Sequence, residues 1–367
     1  MTCLRVLLFA VFILTSSFTQ AFAQIGYHGG LRFGRILEVL PKFPEINSPG
    51  IMVFGGIHGS TGQREGNWGQ YLGRPDWSID LSYENFGNTD VLGFGIGVLP
   101  SMHIFLKRKA RIQYTMQVGW GLAYASRPYD KFNTDNRITG SHLNFMAMLG
   151  FHARIKMRSQ WWVVPGISIS HYSNGGFANP NIGVNIPSGS LALQWDRPKS
   201  STEPTSTFRE PLKRWRIRPF IRGGLGFTEE NFDGPKFKVY SLALGAHTRA
   251  GQISLLKLGA EYSFSQGSLA FIEQVGLYPG EERRQASRWA IFGAHDLLFG
   301  YFAFHTELGV YVQDHHNQLS RISTRIGFTF FGRNSLNVQG QLPGIGLYVR
   351  AYEGEADYLE LAMMHLF

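Results

Sequence analysis

The chain has 367 residues, including 44 Gly, 29 Phe, 15 Tyr and 8 Trp, with 17% charged residues and a net charge of +9. Its one cysteine is Cys3, so everything beyond the first residues is without a disulfide, a thiolate nucleophile or a cysteine-based zinc site. No segment after the N-terminus approaches the roughly 20 uninterrupted apolar residues of a membrane-spanning helix. The basic balance comes with no nucleic-acid recognition motif, and the acidic neighbour it suits is a phosphorylated glycolipid surface.

Arg5 is the sole charge among the first 24 residues, and it precedes the apolar run Val6–Leu14 and the sequence Ala21-Phe22-Ala23. A basic start, a short apolar stretch and an A-x-A site predict a signal peptide over 1–23, cleaved to leave 24–367. The remainder reads as strands from end to end. Alternating segments occur at 31–37, 51–58, 77–83, 91–106, 112–125, 141–155, 161–171 and 189–194. They continue at 216–227, 237–248, 253–264, 290–298, 301–312, 322–331, 344–351 and 358–367. Gly, Pro, Asn and Asp separate them, which is the pattern of strands bounded by turns. Aromatics such as Tyr114, Trp120, Tyr124 and Trp161 sit toward strand ends, like the interfacial girdles of a membrane barrel. A soluble β-sandwich would share the aromatic strands; the export segment favours the membrane. The expectation is an all-β, antiparallel, transmembrane outer-membrane β-barrel of about 14–16 strands.

Arg197–Arg214 (RPKSSTEPTSTFREPLKR) is polar and proline-bearing and reads as a long excursion between strands of one barrel, as does the shorter 278–288 stretch. The organisation expected is therefore a single barrel over 24–367. The chain ends in a strand closed by Phe367, which resembles the insertion signal read by the barrel assembly machinery.

One segment carries chemistry: Ile167-Ser-Ile-Ser-His171-Tyr-Ser173-Asn174-Gly-Gly176-Phe-Ala-Asn-Pro-Asn181-Ile-Gly-Val-Asn185. Alternate strand residues share a face, so Ile167, Ile169, His171 and Ser173 form one row, and in a membrane barrel the apolar row meets lipid. Polar groups at the end of such a row are costly and point to function. Residues i and i+2 lie roughly 6.6–7 Å apart at Cα, within reach of a hydroxyl and an imidazole. A histidine so placed can take the serine proton during attack, and the glycines that follow offer N–H donors for an oxyanion. The plain alternative is that H-x-S ends a strand and Asn-Gly-Gly turns a hairpin.

The HYSNGG segment with the PNIGVN that follows resembles the lipid A 3-O-deacylase (PagL) family, and in particular the longer acyloxyacyl hydrolases of Bacteroidetes outer membranes. The likeness extends through Tyr83-Glu-Asn-Phe-Gly-Asn-Thr-Asp-Val-Leu-Gly93, Gly119–Tyr124 and Ser141-His-Leu-Asn144 to the closing Glu355–Glu360 stretch. The resemblance implies a deacylase-like part over 24–196 and additional barrel strands over 215–367. It implies an outer-membrane hydrolase acting on lipid A of lipopolysaccharide, without a metal or cofactor. It implies Ser173 as nucleophile, His171 as base, and Asn174 with the Gly176 backbone N–H as oxyanion donors. Smaller family members carry a glutamate twelve residues after the serine; here that place is Asn185. An amide can fix the imidazole tautomer but lacks a charge.

Other stretches carry less. His315-His316 reads as a solvated turn rather than a metal site, since adjacent strand histidines face opposite ways. His295-Asp296 reads as a strand end, and the Gly223–Gly226 stretch has no phosphate-loop setting. Lys107-Arg108-Lys109-Ala-Arg111 reads as a turn, with lipid A phosphate binding as its alternative. Two non-enzymatic readings stand beside the esterase: a pore or transporter, and a catalytically silent structural barrel.

Overall fold

The computed structural model describes residues 25–38, 43–61, 68–109, 111–197, 216–229, 231–232, 234–314, 321–336, 340–352 and 355–367. The expected signal peptide and His315-His316 lie outside them.

Sixteen strands run through these residues. The first eight are β1 (Gly26–Gly34), β2 (Gly50–Ser60), β3 (Asp76–Asn85), β4 (Phe94–Arg108), β5 (Ile112–Ala125), β6 (Leu143–Lys156), β7 (Trp161–Ser173) and β8 (Val184–Trp195). The second eight are β9 (Arg218–Glu229), β10 (Lys236–Arg249), β11 (Ser254–Ser265), β12 (Ser287–Phe299), β13 (Phe302–Asp314), β14 (Ile322–Phe331), β15 (Leu342–Tyr352) and β16 (Glu355–Leu366). Two helices, α1 (Gln266–Val275) and α2 (Glu282–Gln285), interrupt the β11–β12 connection. Strand periodicity gave no warning of α1. Ser265 caps it by accepting from Ser268 N–H, and Gly276 ends it at φ 71°. No helix among the described residues is long and apolar enough to cross a membrane.

Every strand pairs antiparallel with its neighbour, but the sheet closes twice. β1 pairs with β2 on one edge and β8 on the other, from Tyr27↔Trp195 to Gly34↔Ser188. β9 likewise pairs with β10 and β16. The single barrel expected over 24–367 is therefore corrected to two barrels of eight strands. Once β8 returns to β1, neither has an edge left to accept β9. The polar 197–214 stretch joins two closed barrels rather than looping within one, although most of it, 198–214, lies outside the described residues.

Burial is inverted relative to a water-soluble fold. On β3, Ser78, Asp80, Ser82 and Glu84 point inward and are buried, whereas Leu81 and Tyr83 on the other face are exposed. β12 and β15 repeat the alternation, with Ile291, Ile345 and Leu347 outward. An apolar outer band over a polar interior is what lipid selects.

Eight strands enclose a lumen just wide enough for side chains, and both lumens hold them. In the first barrel Arg32 stacks over Phe54 at 4.0 Å, and the Tyr172 hydroxyl donates to Glu84. In the second, Arg222, Arg325 and Arg350 interlock with Glu261, Glu307 and Glu360. Arg222 contacts Glu261 and Glu307 at 2.7 Å each, and Arg325 Nε meets Glu360 at 3.0 Å. Lys257 and His305 both reach Asp296 at 2.6 Å. Among the described residues both interiors are thus lined by paired, buried side chains.

The barrels lie side by side. Trp120 on β5 meets Phe328 and Phe304 of the second barrel, with ring centres 5.8 and 6.5 Å away. Near one rim Trp68, in a single 3₁₀ turn, packs edge-on against Phe299 at 4.9 Å. Near the other, Tyr129 meets Phe232 at 4.9 Å.

Candidate active site

β7 carries the row expected from its period. Ile167 and Ile169 are exposed, at 65% and 41%, while Ser168, Ser170 and Tyr172 between them are buried. His171 is exposed on the outward face, and Ser173 follows it half-buried. Ser173 ends the strand opposite Phe145 of β6. That ring stands 6.4 Å from Trp120, so the serine lies at the head of the aromatic seam between the barrels.

β8 supplies the histidine's partner. His171 and Asn185 are a direct cross-strand pair, and Asn185 Oδ1 lies 2.8 Å from His171 Nδ1. The amide oxygen can only accept, so this contact puts the proton on Nδ1 and leaves Nε2 as the basic nitrogen. Gly183 stands against the other edge of the ring. A Cβ there would be 2.8 Å from His171 Cε1 and 3.5 Å from Nε2, and its φ of +79° also suits glycine.

The β7–β8 connection is not a tight Asn-Gly hairpin but the ten-residue segment Asn174–Gly183. Asn174 is 3% exposed. Its Nδ2 donates to the Ala178 carbonyl at 2.7 Å, and its Oδ1 accepts from Gly176 N–H at 3.0 Å. The Asn174 side chain thus holds the loop, and the Gly176 N–H is already engaged. Gly175 and Gly176 both have positive φ, 73° and 82°, which the loop's reversal requires of them.

Asn181 was not singled out by its type or spacing, yet its side chain accepts the serine's hydrogen bond. Its Oδ1 accepts from Ser173 Oγ at 3.1 Å and from Asn174 backbone N–H at 2.9 Å. Ser173 Oγ in turn accepts from Gly175 N–H at 3.1 Å. The serine hydroxyl therefore donates to Asn181 and not to His171. One side-chain oxygen thus accepts from both the Ser173 hydroxyl and the Asn174 N–H.

Residues 58–194 match the lipid A 3-O-deacylase (PagL) family, and residues 215–367 match the C-terminal domain of acyloxyacyl hydrolases. This chain belongs to a PagL-like family. It is an outer-membrane deacylase, an ester hydrolase acting on lipid A. No curated protein matches the chain. Among solved structures, the outer-membrane enzyme PagL is 18% identical over 45% of this chain and 97% of its own, with a TM-score of 0.29. A mutant Rh. blastica porin is 8% identical over 94% and 100%, with a TM-score of 0.18. Pseudomonas aeruginosa OccK5 is 8% identical over 94% and 97%, with a TM-score of 0.22. The family matches, and not these distant overlays, decide the assignment.

The two matched regions of the deacylase fall on separate barrels: the first runs from the end of β2 into β8, and the second begins before β9. All five residues expected to form the site, His171, Ser173, Asn174, Gly176 and Asn185, fall in the first. The weaker candidates lie elsewhere. Lys107 and Arg108 end β4, and Lys109 N–H bonds the Ile112 carbonyl at the start of β5 at 3.2 Å. His295 and Asp296 sit within β12 rather than at its end, with Asp296 in the lumen. Among the described residues no group of three or more His, Cys, Asp and Glu side chains is arranged to hold a metal ion.

Proposed function

We propose that this deacylase removes an ester-linked acyl chain by serine chemistry, with Ser173 as nucleophile, His171 as general base and Asn185 as its orienting acceptor. The observation that carries the reading is the His171–Ser173 row on the outward face of β7, backed by Asn185 at 2.8 Å from His171 Nδ1. Lipid A presents its esters from within the membrane, so a nucleophile on the outer wall meets them there.

The reaction follows from the groups. Ser173 turns its hydroxyl from Asn181 to His171, and His171 Nε2 takes the proton as Oγ attacks the ester carbonyl carbon. The carbonyl oxygen becomes the oxyanion and replaces Asn181 Oδ1 at the Asn174 backbone N–H. The Gly176 N–H can add to it only when Asn174 Oδ1 releases that donor. Collapse expels the sugar oxygen, which takes the proton from His171 and leaves an acyl-serine. Water, deprotonated by His171, then releases the fatty acid and restores the serine.

Mass spectrometry of lipid A incubated with refolded protein, wild type beside Ser173→Ala, tests this. Loss of one acyl chain with wild type alone is the expected result. Loss with both would remove Ser173 from the mechanism. No change with either, across several lipid A types and with folding verified, would favour the silent structural barrel.

Assembly is part of the same proposal: β16, with Phe367 stacked edge-on against His365 at 4.5 Å, is the strand offered to the barrel assembly machinery. Phe367→Ala should lower the amount of folded protein in outer-membrane fractions; unchanged delivery would argue against that contact.

A further inference from the structure

The Asn174–Gly183 connection is held from outside its own barrel. Asn179 donates its backbone N–H to Glu229 Oε2 at 2.7 Å and its side-chain amide to the Glu229 carbonyl at 2.5 Å. Glu229 closes β9 of the second barrel and is 6% exposed. Lys236, at the start of β10, pairs with the same carboxylate oxygen at 2.8 Å, and its ammonium lies 4.9 Å from the Phe177 ring centre. Earlier in the loop, Gly175 abuts Val349 and Leu359, and Gly176 lies against the backbone oxygens of Ala356 and Asp357. The second barrel thus touches the loop at Gly175, Gly176, Phe177 and Asn179, between Asn174 and Asn181.

We propose that Glu229 is a positioning residue for deacylation, through which the second barrel holds the Asn174–Gly183 loop in register with Ser173. This rests on Ser173 being the nucleophile. The first barrel ties the loop at Asn174 and, through the Thr139↔Asn181 bridge, at Asn181. Between those ties lie two glycines at positive φ, whose backbone has more freedom to lose than any other residue type. Two hydrogen bonds on Asn179, one of them to a carboxylate, restrict that span. A buried carboxylate facing a backbone N–H is costly to leave unpaired, so the contact persists once formed. The Asn174 N–H, which shares the Asn181 Oδ1 acceptor with the serine hydroxyl, is thereby fixed by both barrels together, and the second barrel is a working part of the site.

The test uses the full chain, with Glu229→Ala, Glu229→Gln and Lys236→Met beside wild type and Ser173→Ala. Folding is followed by heat-dependent gel mobility, turnover by fatty acid release from lipid A micelles, and site organisation by the rate of Ser173 labelling with a fluorophosphonate. A loop displaced by about 1 Å can cost on the order of 100-fold, so Glu229→Ala should lower kcat and labelling by about 10–100-fold with KM changed less than about threefold. Glu229→Gln keeps an acceptor for Asn179 and should restore most of both. Lys236→Met, which spares the Asn179 bonds, should stay near wild type. Should Glu229→Ala fail to fold, Asn179→Ala carries the same test from the loop side. A folded Glu229→Ala with wild-type kcat and labelling would overturn the proposal. Activity that survives Ser173→Ala would instead overturn the reading of the nucleophile on which it rests.

Discussion

Asn185 stands where smaller relatives of this family carry an acid, and the structure sets what its replacement should do. Asn185 Oδ1 accepts one hydrogen bond from His171 at 2.8 Å, and the pair is open to its surroundings. A neutral hydrogen bond contributes about 0.5–1.5 kcal/mol net. At 1.36 kcal/mol per tenfold in rate, Asn185→Ala should lower kcat/KM by about 2–12-fold. The effect stays far below the ~10⁴ seen when a buried serine triad acquires the wrong tautomer, because alanine removes one neutral acceptor without imposing the wrong tautomer. Asn185→Asp keeps the length of the side chain and adds a charge that favours the imidazolium of the transition state. A charge-assisted bond is worth roughly twice a neutral one, so turnover should rise by about 2–12-fold. Initial rates of fatty acid release from defined lipid A in micelles, followed by liquid chromatography and mass spectrometry, measure both variants against one wild-type preparation. A folded Asn185→Asp as slow as Asn185→Ala would refute the idea that this position acts as an acceptor for His171. An Asn185→Ala loss beyond about 100-fold would show that more than one neutral hydrogen bond depends on it.

Gly176→Ala should impair the same site from the loop side. Its φ is +82° and its new Cβ would stand 2.9 Å from the backbone oxygens of Ala356 and Asp357, so the loop must shift. At least a tenfold loss of kcat is expected, of the order found for small displacements of reacting groups, with gel mobility unchanged; full activity would mean the loop tolerates movement. Glu261→Leu addresses the second lumen, where Glu261 faces Arg222, Arg325 and Arg350. Leaving those cations short of an acceptor should destabilise the protein by about 3–5 kcal/mol, read from urea unfolding in vesicles, and a change below about 1 kcal/mol would mean the network is not holding the barrel.

The strands were legible because each is a local pattern. Inside and outside alternate with period two whether the outside is lipid or water, so all sixteen segments, and the outward placement of His171 and Ser173, follow from neighbouring residues alone. How many barrels those strands make is not local. Closure is decided by which edge β8 meets, and alternation is the same whether β8 pairs with β1 or with β9. The Asn185 position was reached by counting from a family motif, but its contact with His171 exists because strand register sets the two residues opposite each other. Asn181 and Glu229 carry no signal of their own: one comes to Ser173 by the path of a ten-residue loop, the other by the docking of a second barrel. The sequence by itself determined the class of fold and the face on which His171 and Ser173 lie. Only the tertiary structure decided that two barrels close and meet at that pair, because hydrogen-bond closure and side-by-side packing join residues that no local period connects.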